Sequence, residues 1–233
     1  MADEMLRHTL RLIVIAAAVA TIVYAGFAFY GGATQTEAAA LSDSVELAEN
    51  QAGSMGHALN DVSAFASLRD PAGSQPQPGS SATAATTDIH ELLARWEPRY
   101  NNAKAAYPKL ESAITVAKSS AADYFAAQRA ITGRINDPDA KLRAQQDDER
   151  DWDLYRQWEE RADAVLAEAY AIGLRLDDMD AGLRKLELRA GFAFDASSFS
   201  EVPTAIADLN RELADFQAAS ENIRAVTKSP FEE

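Results

Sequence analysis

Apolar residues recur at alternating intervals of four and three along most of this chain. That spacing is the seam of helices packed side by side. It begins at Leu41 and runs through Val45, Ala48, Ala52, Met55, Leu59, Val62 and Ala66. It resumes at Ile89 and passes Leu93, Trp96, Tyr100, Ala103, Tyr107, Leu110, Ile114, Ala117, Ala121, Tyr124, Gln128, Ile131 and Ile135. A third seam reads Tyr155, Trp158, Ala162, Val165, Ala169, Ile172, Leu176, Met179, Leu183, Leu186 and Ala190, and a fourth Val202, Ile206, Leu209, Leu213, Phe216, Ser220 and Ile223. Strands repeat every two residues and have no reason to show this pattern, so the fold class is all-α.

One segment differs. Residues 12–30, LIVIAAAVATIVYAGFAFY, carry no charge. At about 1.5 Å per residue such a helix spans roughly 28 Å, the thickness of a bilayer's hydrocarbon core. Arg7 and Arg11 precede it, and the next Lys or Arg is Arg69. The positive-inside rule then places 1–11 in the cytoplasm and everything after the span outside it. Tyr24, Phe27, Phe29 and Tyr30 crowd the outer end as an aromatic belt would. The rival is a cleaved signal peptide, whose apolar region is normally shorter and ends at a small-x-small site.

The expected organisation is a signal-anchor helix at 12–30, a membrane-proximal helix at 31–68 and a flexible linker at 69–87. A helical bundle at 88–233 follows, with hairpin helices 88–135 and 139–190 and a final helix 200–228. The linker, RDPAGSQPQPGSSATAATT, is set by its Pro, Gly and Ser content. Asp88 with Glu91 has the spacing of a capping box, and Asn136-Asp137-Pro138 reads as a turn followed by a helix with proline in its first turn. That short connection makes the two long helices antiparallel neighbours.

Folding the chain back near Pro138 pairs the seams. Ala121 meets Tyr155, Ala117 meets Trp158, Leu110 meets Val165, Tyr107 meets Ala169, Tyr100 meets Leu176 and Trp96 meets Met179. Several large rings thus face alanines, as constant volume across a packed seam requires. Pro98 and Pro108 fall off the seam, and Leu142 is out of phase with it. The membrane-proximal heptads have two options, pairing between chains as a homo-oligomer or folding back on the hairpin.

Charge narrows the function classes. The chain carries 22 Lys and Arg against 36 Asp and Glu, a net of −14. A nucleic-acid partner is therefore not expected, and anionic surfaces repel the domain as a whole. There is no cysteine, which removes disulfides, thiolate metal sites and a thiol nucleophile. His8, His57 and His90 form no i, i+4 pair and no Glu-x-x-His motif. The acids Asp177, Asp178 and Asp180 before Gly182 miss the spacing of a calcium loop. No nucleophile elbow or phosphate loop occurs, so no enzyme, cofactor or metal site is expected.

The candidate contact surface is the hairpin end, where Trp152 and Tyr155 adjoin Asp147, Asp148 and Asp151. The expected function is a single-pass scaffold or adaptor of the cell inner membrane. It presents a helical hairpin, periplasmic or extracellular, to an envelope protein. The alternative is a ligand-binding sensory bundle working with a separate transducing subunit.

Overall fold

The computed structural model describes residues 35–66, 82–188 and 197–227, with the side chains of 82–88 and 197–200 left out of the description. These residues form four helices: α1 (35–66), α2 (Ala82–Gly133), α3 (Pro138–Leu188) and α4 (Ser197–Thr227). Among the described residues there is no strand, and no helix is long and apolar enough to cross a membrane. The expected span at 12–30, most of the 69–87 linker and the connection at 189–196 between the last two helices lie outside the described residues.

Every described residue of the α1, α3 and α4 seams is buried except Leu186, which packs half-buried on the core. Trp96, Trp158, Met55, Ile172 and Phe216 are among the most completely enclosed side chains. The seams therefore meet in one core, and α1 belongs to it. Arg224 of α4 pairs with Glu49 at 3.0 Å, and Asn210 donates to Asn60 at 2.9 Å. At the other end of α1, Phe65 lies 5.6 Å from the Trp96 ring. Of the two options open to the heptads of α1, the chain folds them back. Gly56 permits a close approach here, since a Cβ on it would stand 3.3 Å from Leu213 Cδ1.

Neighbours run antiparallel: α2 with α3 through Trp96–Asp180, Tyr100–Asp177 and Lys118–Asp163, α3 with α4 through Trp158–Ser220 and Arg161–Asp215, and α4 with α1 through Arg224–Glu49 and Asn210–Asn60, while Phe65 on Trp96 sets the end of α1 beside the first half of α2. The result is an up-down-up-down four-helix bundle. The hairpin register lies one residue from the seam pairing. Tyr107 meets Tyr170, Tyr100 donates to Asp177 and Trp96 donates to Asp180. Each partner adjoins the residue expected from folding the chain at Pro138.

The turn is capped as its residues dictate. The Asp137 carboxylate accepts the Ala140 N–H at 2.7 Å, with Pro138 in the first turn of α3. Pro98 and Pro108 sit on the exposed face of α2, where the carbonyl that each leaves unpaired one turn back is on the solvent side, and the helix continues through both. Two boundaries differ from expectation. α2 starts at Ala82 because Ala82, Ala84 and Ala85 are strong helix formers. α4 starts at Ser197, so Pro203 lies inside it.

The hairpin outreaches the other two helices. The apolar core ends here at Leu41, Phe125, Tyr155 and Ile223, with Asp151 and Thr227 buried just beyond it. From 126 to 150, Thr132 is the one buried residue. The turn thus stands roughly 14–20 Å beyond the four-helix core as a two-helix arm.

Candidate partner-contact site

At the root of this arm the core aromatics come to the surface. Phe216, Trp158, Tyr155, Trp152 and Phe125 form a continuous series of ring contacts at 4.9–5.9 Å. Trp158 anchors the inner end, its indole N–H donating to Ser220 Oγ at 3.0 Å while that hydroxyl donates to the Phe216 carbonyl. Trp152 forms the outer end. It is 38% exposed, edge-on to Phe125, with the Arg129 guanidinium 5.9 Å from its ring centroid.

Beside Trp152 an open groove of about 380 Å³ lies between α2 and α3, lined by Phe125, Gln128, Arg129, Gln145, Asp148, Glu149 and Trp152. About five helical turns along α3 on the same face stand Tyr170 and Leu174. They are 56% and 50% exposed and border a second groove with Lys104, Tyr107 and Gly173. Lys118 bridges the interval, bonded to Asp163 at 2.8 Å and Glu159 at 3.3 Å.

The five expected contact residues separate. Trp152, Asp147 and Asp148 reach solvent or the groove. Tyr155 and Asp151 are buried, at 5% and 7% exposure, and are unavailable to a partner. Tyr155 opens the α3 seam, and Asp151 continues its inner stripe one turn toward the hairpin end. The Asp151 carboxylate accepts from Gln128 at 3.2 Å and lies 3.7 Å from Arg150. Burial raises its pKa above the usual carboxylate value, against the lowering effect of Gln128 and Arg150. Burial, with Asp151 and Asp148 nearby, pushes the Tyr124 phenol up to about 12, and burial beside Glu159 and Asp163 does the same for Tyr155.

Phe125, Arg129, Gln145, Tyr170 and Leu174 were not singled out by sequence, and Gln128 was placed in the α2 seam rather than at this surface. The available signal was weak. Phe125 directly follows the seam residue Tyr124, and Arg129 stands one turn further on.

The other acidic cluster is held within the hairpin. Asp177 accepts from Tyr100 at 2.8 Å and Lys104 at 2.9 Å; Asp180 accepts from Trp96 at 3.1 Å and Arg184 at 2.8 Å. Burial opposes ionisation of Asp177, but the bonds from Lys104 and Tyr100 outweigh it and lower its pKa. The Tyr100 phenol is raised to about 12, chiefly by its bond to Asp177. Among the described residues, no group of three or more His, Asp or Glu side chains could hold a metal ion. His90 lies 3.0 Å from Glu187. No protein-family model matches the chain, and no curated protein or solved structure matches it significantly.

Proposed function

We propose that this chain is a membrane-anchored scaffold or adaptor of the cell envelope. Residues 12–30 act as its single span, and the outer α2–α3 face is its docking surface for another envelope protein. The observation that carries this reading is Trp152, half-exposed beside an open groove with Arg129 stacked on it, and Tyr170 and Leu174 exposed on the same face. Aromatic side chains and arginine dominate the energy of protein contacts, the rings because they bury much area at little cost in rotamer freedom and arginine because its planar guanidinium stacks and donates several hydrogen bonds. Most other large apolar side chains are already in the core. The grooves are open clefts rather than enclosed cavities, which favours a protein surface over a small ligand.

A photo-crosslinking amino acid at position 170, in cells, tests this. The expected result is one discrete adduct with an envelope protein, abolished by Trp152→Ala or Leu174→Asp. Adducts no more frequent than at Leu188, which is 85% exposed at the opposite end of α3, would refute it.

A further inference from the structure

The arm has little apolar packing of its own, so the bonds that cross it carry weight. Between 126 and 150 Thr132 is buried, while Ile131, Ile135 and Ala144 are half-buried. At the turn, Lys141 Nζ donates to the Gly133 carbonyl at 3.2 Å. At the root, Gln128 Nε2 of α2 donates to Asp151 Oδ2 of α3 at 3.2 Å. Short helices are marginal without tertiary packing, so the root bond bears on how firmly the two stay paired.

That bond is half of what the two groups can make. Asp151 Oδ1 and Gln128 Oε1 are both buried, and neither has a hydrogen-bond partner. Arg150 Nη2 stands 3.7 Å from Oδ1, beyond bonding reach, on a largely exposed side chain. Two oxygens that only accept cannot satisfy one another. A proton on the carboxyl changes this. Asp151 then donates to Gln128 Oε1 while still accepting from Nε2, and one acid and one amide satisfy each other with two bonds. The terminal torsions of both side chains are broad, which lets the free oxygens lie side by side. Burial favours the neutral acid most strongly; the Gln128 bond and Arg150 oppose it, and Asp147 and Asp148 reinforce it. From α2 the buried Tyr124 phenol also faces this carboxyl, whereas Arg129 is turned to the Trp152 ring. α1 brings Glu37, a further anion, to this end of the bundle. α4 brings Arg224, engaged by Glu49, and Thr227, whose hydroxyl donates to the Ile223 carbonyl.

We infer that Asp151 and Gln128 form a proton-operated lock at the root of the arm: taking up a proton from solvent closes the two-bond pair, and losing it loosens α2 from α3 between 126 and 150. The ionised form leaves two buried acceptors unpaired and sets a third negative charge beside Asp147 and Asp148. The lock is closed below the ordinary carboxylate value of about 4 and opens as pH rises through the higher folded value. Gln128 and Asp148 also line the groove beside Trp152, so the same proton acts on the shape of that surface. The lock is a property of the hairpin and depends on neither the anchor nor the partner proposed above.

Amide hydrogen exchange of the full chain in detergent, corrected for the intrinsic pH dependence of exchange, tests this. Peptides from 126–150 should be protected roughly tenfold more at about pH 4 than at about pH 8, the size expected for one buried hydrogen bond made or left unmade. Peptides from the four-helix core, such as 158–180, should show no such gain. Asp151→Asn supplies a permanent donor to Gln128 Oε1 and keeps the acceptor for Nε2, so its arm should stay protected at both pH values. A carboxyl carbon resonance that is absent from Asp151→Asn should titrate above the ordinary carboxylate range, in step with arm protection in the parent chain. Arm protection equal at both pH values overturns the inference. So does an Asp151→Asn chain that keeps the parent's pH dependence, or a core that gains protection in parallel with the arm. Titration of Asp151 at its ordinary value overturns it too, and assigns the free oxygens to a bridging water.

Discussion

Ser220→Ala tests the packing at the centre of the bundle. Ser220 is fully buried and its hydroxyl accepts the Trp158 indole N–H, itself fully buried, at 3.0 Å. Alanine removes the acceptor and leaves no water to replace it. A buried donor left unpaired costs about 1–3 kcal/mol. Alanine returns up to about 0.5 kcal/mol through its better helix propensity. The net expectation is a loss of about 1.5 kcal/mol, or about 3–6 °C in Tm for a chain of this size. Thermal unfolding of the full chain in detergent, followed by circular dichroism at 222 nm, measures it. Trp158→Phe supplies the control, because phenylalanine has no N–H to satisfy. In that background Ser220→Ala should be neutral or mildly stabilising, giving a coupling of about 1–2 kcal/mol between the positions. An equal effect in both backgrounds, or a Ser220→Ala chain as stable as the parent, would refute the α3–α4 register.

The helix glycines divide. Gly53→Ala and Gly173→Ala, with nothing within 4 Å of the added Cβ, should each stabilise by about 0.5–1 kcal/mol, whereas Gly56→Ile should loosen α1 from Leu213 and lower Tm. Asp151 carries a raised pKa, so its contribution is present below the ordinary carboxylate value and is lost as pH rises through the folded value. Asp151→Asn should therefore raise Tm at neutral pH, with the gain shrinking as the buffer approaches pH 4. Asp177 is the reverse case: its lowered pKa stabilises above about pH 4, so Asp177→Asn should lower Tm at pH 7 and converge with the parent in acid. A phenolate absorbance titration should find Tyr100, Tyr124 and Tyr155 silent at pH 10 and ionising only near 12, with stability falling over that interval. Full ionisation by pH 11 would contradict the burial of Tyr124 and Tyr155 and the Tyr100–Asp177 bond.

The hairpin was legible from local pattern to register. Large residues opposite alanines, as at Trp158 and Ala117, constrain how two seams slide, and the observed contacts fall one residue from that prediction. The candidate site was half legible. Trp152 lies off the α3 seam and is exposed, as its phase implies. Tyr155 is enclosed because it opens the α3 seam itself, and Asp151 because the inner stripe continues one turn past it, which a polar residue at position 151 hides from any hydrophobic count.

What the sequence determined alone is which face of each helix is buried, since a period near 3.5 is a property of neighbouring residues on one helix. What only the tertiary structure decided is which seam meets which. Four helices with similar seams can be arranged in several ways, and the choice depends on contacts distant along the chain: Phe65 on Trp96, Gly56 against Leu213, Ser220 under Trp158. Those same contacts bury a second stripe, including Phe65, Ala106, Ala113, Phe125 and Ala205, that no single heptad announces. A helix in a four-helix core touches two neighbours and covers a wider arc than one seam. That arrangement also sets the start of α1 and the turn of the hairpin at one end.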